Sequence, residues 1–320
     1  MIMAVLMTFA IIAILTGLHS VAAIEINTAN TLKVSPVRTD IEIKPGENKT
    51  VKTTVTNLTS LPITVSPIEN DFVSGDERGT PSLILDANTY APTHSLKRFM
   101  TPLPSVTIPP KQAKTINVVI TVPLSAQAGG YFGAIRFAPT SPDGGGQVNL
   151  SASVASLILL SVPGNTVEKL ALTNFDIQQN GMTGSNFSSL DNLQATVRFE
   201  NKGNIQIGPF GKVSVKQGDK VVYDTDFNTK DPRDVILPDG ARRWDIPLSN
   251  TGGFGQYTVI ATFTYGKNNQ TIEVSKSFWV IPQSLIIAAG IGIIIFIGII
   301  IIIWLFIRKR RSRRHRHYRP

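Results

Sequence analysis

KTINVVITVP, Lys114 to Pro123, decides the fold class. Ile116, Val118, Ile120 and Val122 recur at every second position, which places them on one face of an extended strand and makes an inward row. Pro123 has no N–H to give a neighbouring strand, so the row ends there. The same period appears upstream in KTVKTTVTN, where Val51 and Val55 face one way and Lys52, Thr54 and Thr56 the other. Downstream, GGYFGAIRFAP puts Tyr131, Ile135 and Phe137 on one side and Phe132, Ala134 and Arg136 on the other. PGE, SGDERGTP, PLP and PDGGG separate such runs, and all are turn chemistry. Short alternating strands divided by Gly and Pro predict an antiparallel β-sandwich.

A boundary falls at SVPGN, Ser161 to Asn165, after which a second set of strands begins. VEKLALTNFDI is followed by a polar loop, GMTGSNFSSLDN. LQATVRFENKGN then turns Leu193, Ala195, Val197 and Phe199 inward. GKVSVKQGDKVVYDTDF reads as a hairpin turning at Gly218 and Asp219, residues suited to positive φ. YTVIATFTYGKNNQTIEVSKSFWVIP repeats the design, with Gly266 to Asn269 as its turn. The expected fold is an all-β ectodomain of two immunoglobulin-like antiparallel sandwiches, residues 24–165 and 166–283, followed by a single membrane helix.

That helix is read from Leu285 to Ile307, LIIAAGIGIIIFIGIIIIIWLFI, which has no charged residue and thirteen isoleucines. Roughly 20 apolar residues span a bilayer core, and in lipid the helix satisfies its own backbone. Ala288 and Gly292 form a small-xxx-small pair that permits close helix approach, and Trp279 and Trp304 lie near its two ends. Residues 308–320 follow as a basic tail: Arg308, Lys309, Arg310, Arg311, Arg313 and Arg314 are six of its eight cations. A flank this basic stays cytoplasmic, placing the sandwiches outside a plasma membrane crossed once. The tail is also suited to anionic lipid. At the other end, residues 1–23 resemble a secretory signal peptide, with Val21 and Ala23 at the small-residue cleavage positions and no cation before the apolar run.

The net charge of +9 belongs almost wholly to the tail, so the ectodomain is close to neutral and carries no nucleic-acid footprint. There is no cysteine, which removes disulfides, thiol catalysis and thiolate-bound zinc. Of four histidines only His94 lies in the ectodomain, as a loop residue, so the usual nucleophile and base pairings cannot be assembled. The loop NDFVSGDERGTP, with Asp71, Asp76 and Glu77, lacks the spacing of a calcium loop and reads as a solvated turn. No enzyme activity, cofactor or metal is expected.

SVASLILLSVP, Ser153 to Pro163, is apolar on both faces. Val154, Ile158, Leu160 and Val162 line one, and Ala155, Leu157 and Leu159 the other. Such a strand is either central, with its outer face covered by the second domain, or an edge at Leu157, Ile158, Leu159 and Leu160 that takes up a partner strand.

VSPVRTDIEIKPGENKTVKTTVTNLTSLPITV (34–65), IPPKQAKTINVVITVPLSAQAGGYFGAIRF (108–137) and VRFENKGNIQIGPFGKVSVKQGDKV (197–221) resemble the bacterial WxL-interacting surface proteins. The likeness rests on Pro45-Gly46-Glu47 before Lys49-Thr50-Val51, and on Val122-Pro123 before Ala126, Gly129-Gly130-Tyr131 and Gly133. It implies a peptidoglycan-binding immunoglobulin-like domain, a second sandwich, a C-terminal membrane helix and a basic tail. The implied role is an adhesion or scaffolding protein that binds wall polymer or another secreted surface protein. The alternative is a chaperone-like assembly factor acting by strand addition. The mature chain is expected to begin at Ile24; mass spectrometry of the membrane-extracted protein checks this, and an intact Met1 refutes it.

Overall fold

The structure, a computed structural model, describes residues 31–139, 153–189, 191–248 and 253–314, with side chains up to Arg308. The proposed leader, the PDGGG turn and the last six tail residues lie outside them.

The first sandwich contains β1 (Leu32–Ser35), β2 (Arg38–Glu42), β3 (Asn48–Asn57), β4 (Ile63–Ser74), β5 (Pro81–Leu83), β6 (Val106–Ile108), β7 (Ala113–Thr121), β8 (Gly129–Pro139) and β9 (Val154–Val162). One sheet runs β1-β3-β7; the other runs β2-β9-β8-β4, with β5 and β6 both on β4. All pairings here are antiparallel except β2 with β9. The inward rows are as the alternation predicts: Val51, Val55, Val118, Ile120, Val122, Ile135 and Phe137 are buried in one core. The PGE turn is built on Gly46, at φ +85°, after Pro45, with the Glu47 N–H donating to the Lys44 carbonyl at 3.1 Å. Positive φ there is cheap only for glycine.

The second sandwich contains β10 (Leu170–Gln179), β11 (Met182–Thr183), β12 (Asn186–Phe187), β13 (Leu193–Asn201), β14 (Phe210–Gln217), β15 (Lys220–Phe227), β16 (Ala241–Pro247), β17 (Gly255–Tyr265) and β18 (Gln270–Val280). Its sheets run β11-β10-β13-β16 and β12-β18-β17-β14-β15. Leu193, Ala195, Val197 and Phe199 are all buried. Phe263 packs edge-on against Phe199 and Phe227, with both ring centroids 5.0 Å away. Of the two residues in the β14–β15 turn, only Gly218 takes positive φ, +59°. The stretch 181–192 is more than a polar loop: it contributes β11 and β12, and Phe187 is buried against Phe278 at 5.8 Å.

One device occurs in both sandwiches and escaped the sequence reading. Asn57, the last residue of β3, and Asn201, the last of β13, are fully buried. Each side-chain oxygen accepts the N–H two residues on, from Thr59 or Gly203, at 2.9 Å. Each side-chain nitrogen donates at 2.7 Å to the carbonyl four residues on, Leu61 or Ile205. It also reaches across the sandwich to Ile108 or Ile236. What is buried is the Asn side chain itself, so its amide must be paired, and it is paired by tying the turn after its strand to the opposite side of the sandwich.

β18 is followed, after Ile281 and Pro282, by α1 (Gln283–Arg314). It is one long helix, and Gln283–Arg308 is apolar and long enough to cross a membrane. Leu285 and Ile307 are interior to it, because the helix starts two residues earlier and runs on through the first cations of the tail. The Arg308 guanidinium lies over the Trp304 ring at 5.2 Å.

Asn201→Ala removes the bonds to the Gly203 N–H and the Ile205 carbonyl and one of two on the Ile236 carbonyl, and is expected to cost on the order of 2 kcal/mol. Asn57→Ala should cost less, because the exposed Leu61 carbonyl also accepts the Thr59 hydroxyl. Denaturant unfolding of the full chain in detergent measures both, and a loss within about 0.5 kcal/mol, typical of surface changes, contradicts this account.

Candidate functional site: the cleft between the sandwiches

β9 is the wall on which the two sandwiches meet. One face sends Ile158, Leu160 and Val162 into the first core. The other brings Leu159 together with Phe72, Phe132 and Ala134 in a separate buried cluster. Leu157 and Ala155 pack on that cluster, and so do Val235 and Leu237 from the β15–β16 connection of the second sandwich. Leu159 is only 2% exposed, so the outer face of β9 is covered by the other domain.

The proposed partner edge at Leu157, Ile158, Leu159 and Leu160 is therefore not free. β8 pairs one side of β9, and β2 pairs the other from Leu157 to Ser161. The Leu157 N–H donates to the Val37 carbonyl at 2.8 Å. The strand at the rim is β2. Its Arg38 and Asp40 pair with Leu157 and Leu159 in the register and so stand, with Glu42, on the face that looks toward the second sandwich. Arg38 grips both Asp40 oxygens, at 2.7 and 2.6 Å, and donates to the Arg233 carbonyl at 2.8 Å.

Polar contacts frame the apolar contact. The Gly130 N–H donates to the Asn204 carbonyl at 2.8 Å, and the Asn204 amide donates back to the Ala128 carbonyl at 2.9 Å. Gln206 donates to the Ser161 hydroxyl at 2.9 Å. At the far end the β4–β5 hairpin tip lies on β16. There the Glu77 carboxylate receives Arg198 at 2.8 Å, and its carbonyl receives the Arg243 N–H at 2.6 Å. The acidic stretch is thus no simple solvated turn. Asp76 closes the tip by accepting the N–H groups of Arg78 and Thr80, both at 2.9 Å, which hold its carboxyl below the usual range. Asp71 sits back in β4, buried, accepting the Ala91 and Lys97 N–H groups at 2.9 Å. Gly79, at φ +86°, lies so close to Arg242 that a Cβ there would meet its guanidinium at 2.4 Å.

A cavity of about 250 Å³ remains between these contacts. Phe72, Leu157, Leu159 and Leu237 line it, and Arg38, Asp234 and Arg242 stand among its polar residues. Arg242 is tied to Asp234 at 3.2 Å and lies 5.0 Å over the Trp244 ring. Hydrogen bonds from Lys202 and then Arg198 hold the Glu200 carboxyl below its ordinary pKa. Its contribution is present above the ordinary carboxylate pKa and is lost as pH falls through the lowered one.

His94 remains a loop residue, but a fixed one. Its Nδ1 is 2.6 Å from the Gly130 carbonyl and its ring lies 5.9 Å from Phe132. Phe132 is buried in the interdomain cluster, and Tyr131 packs on Phe99 at 4.8 Å, so the pair forms no open platform. Among the described residues no group of three or more His, Asp or Glu is placed to hold a metal. Val235, Leu237 and Glu77 complete the cleft and were missed in the sequence. Val235 and Leu237 sit in a Pro- and Asp-rich connection without strand periodicity, and Glu77 looked like part of a turn.

No family model matches the chain, and no curated protein matches it. Among solved structures it is similar to the class 5 fimbriae chaperone CfaA, at 13% identity and a TM-score of 0.39, over 78% of this chain and 99% of that one. It is also similar to the E. coli chaperone DraB, at 16% identity and 0.32, over 78% and 96%. A third similarity is to the Salmonella enterica SafA pilin–SafB chaperone structure, at 13% and 0.32, over 78% and 95%. These TM-scores carry no argument about role, and the architecture here stands on its own strands and registers.

Leu159→Ala is expected to cost about 2–5 kcal/mol as a buried truncation. Glu77→Gln, at a half-exposed ion pair, should cost less than about 1 kcal/mol. Denaturant titration of the two variants decides whether apolar contact or charge holds the domains, and the reverse order refutes the former.

Proposed function

We propose that the chain is a single-pass, non-catalytic surface protein whose two docked sandwiches stand on the outer face of the membrane and hold a secreted protein or wall polymer there. One observation carries the reading: only Ile281 and Pro282 separate β18 from a membrane-length helix, and the first sandwich is locked onto the second through β9. This geometry supports a body held at a set height above lipid. The cationic residues at the end of α1 support an outside orientation for the sandwiches. The likeness to WxL-interacting proteins supports a wall polymer or surface protein as partner. A non-catalytic role is supported by the carboxylates, many of which are engaged with cations: Asp176 with Lys276, Asp234 with Arg242, and Glu77 and Glu200 with Arg198.

A second reading, an assembly factor acting by strand addition, has its own observation. β2 is a rim strand of only five residues, and the adjoining cavity is lined by Leu157 and Leu159. A strand added along β2 would seat side chains beside that cavity.

Protease added to intact cells should digest the sandwiches and spare the basic C-terminal peptide; the opposite pattern reverses the orientation and removes the role. Full-length protein in nanodiscs should pellet with isolated cell wall or retain a purified surface protein. Failure of both is the result that rejects the scaffold reading. Cross-linking from Asp40→Cys to a bound strand, with wall binding absent, selects the assembly factor.

A further inference from the structure

The base of the second sandwich carries an apolar collar that neither core uses. β18 reaches that base at Trp279 and Val280, opposite Gln256 and Gly255 of β17. Thr258 of β17 is opposite Lys216 of β14, whose other partner is Val221. On the other sheet β11 pairs with the last two residues of β10, and the chain then crosses to β12, which pairs with β18 beside Trp279 and Val280. The registers therefore bring Met182, Val221, Phe254 and Trp279 to one end of the sandwich, the end from which α1 departs.

Past the interdomain connection, these four are the large apolar side chains of the second sandwich that stand exposed among its described residues: 73% for Met182, 48% for Val221, 55% for Phe254 and 40% for Trp279. Phe254 and Trp279 pack ring to ring at 6.3 Å, and the Gln217 amide holds the Phe254 carbonyl at 3.4 Å. In the first sandwich, exposed apolar residues such as Leu61, Leu85 and Leu124 lie on separate connections. Apolar residues gathered at one end need a partner, and the arrangement says which. The helix begins three residues after Val280, a distance of roughly 10 Å even for extended chain, so the collar lies at the level of the bilayer surface. Tryptophan, with an apolar body and one N–H, suits that wet boundary, and Lys216 and Lys220, two and three strands away at the same end of the sheet, add positive charge for lipid phosphates.

We propose that this collar is a lipid-contact surface: Met182, Val221, Phe254 and Trp279 enter the headgroup region of the bilayer that α1 crosses, seating the second sandwich on the membrane. The inference rests on α1 being transmembrane, and the test separates the two. Because the chain has no cysteine, single cysteines label cleanly. Full-length Met182→Cys, Phe254→Cys, Leu124→Cys and Ile297→Cys, each carrying an environment-sensitive fluorophore, are reconstituted in phosphatidylcholine vesicles with nitroxide lipids.

The expected result is blue-shifted emission at 182 and 254, lost to a headgroup nitroxide. Emission at 297 should be lost to a deep nitroxide, and emission at 124 to neither. Quenching at 297 with water-like emission at 182 and 254 overturns the collar while leaving the helix intact. A blue shift at 182 and 254 that grows with protein density and resists nitroxide also overturns it, since a second copy then covers the patch. No deep quenching at 297 overturns the transmembrane reading, and the collar falls with it.

Discussion

The double burial of β9 is the constraint on which the molecule depends. Its backbone is bonded to β8 on one side and to β2 on the other, so it has no slack along either edge. Its side chains are committed on both faces, Ile158 and Leu160 to the first core and Leu159 to the cluster facing the second sandwich. A one-residue slip would exchange these two sets, placing Ser156 and Ser161 on the wrong sides. Register within the first sandwich and docking between the sandwiches are therefore settled by the same strand. This is why the two domains are better regarded as one body than as beads on a linker.

Charge plays a different part. Arg198 joins Glu77 of one domain to Glu200 of the other, but Glu77 is half exposed and water screens the pair. The Arg243 N–H to the Glu77 carbonyl and the Gly130 N–H to the Asn204 carbonyl are backbone contacts with fixed directions. They set the angle at which the apolar surfaces meet, and Val235 and Leu237 against Leu159 supply the burial that makes meeting favourable. Gly79 lies under the Arg242 guanidinium at φ +86°, a backbone conformation that favours glycine.

The sequence revealed those features that depend on a single strand. Alternation in Lys114–Pro123 and Leu193–Phe199 stated which side chains turn inward, because a half-buried strand writes its environment at every second residue. The apolar faces of Ser153–Pro163 left a covered strand and a partner edge both open, and what decides between them is β2, a five-residue strand in parallel pairing that leaves little periodicity to read. Asn57 and Asn201 were legible in principle: both precede, by two residues, a Thr or Gly N–H that the side chain takes, in N-L-T-S-L and N-K-G-N-I. Their meaning needed the cross-sandwich carbonyls of Ile108 and Ile236, which no local pattern encodes. Glu77 and Val235 were opaque for the same reason. Their roles lie in partners far along the chain, Arg198 and Arg243 for Glu77 and Leu159 for Val235.

The junction with α1 carries the consequence furthest. Ile281 donates its N–H to the Phe187 carbonyl, so β18 is held by β12 up to its last residue before Pro282. Pro282 has a fixed φ and its carbonyl already receives the Leu285 and Ile286 N–H groups of the first helical turn. Sheet and helix thus meet with almost no free dihedrals between them, and tilting the helix must tilt the sandwich too. Because β9 locks the first sandwich to the second, that tilt is transmitted to the cleft and to the β2 rim. The direction in which the sandwiches stand relative to α1 is set by the two residues between Val280 and Gln283.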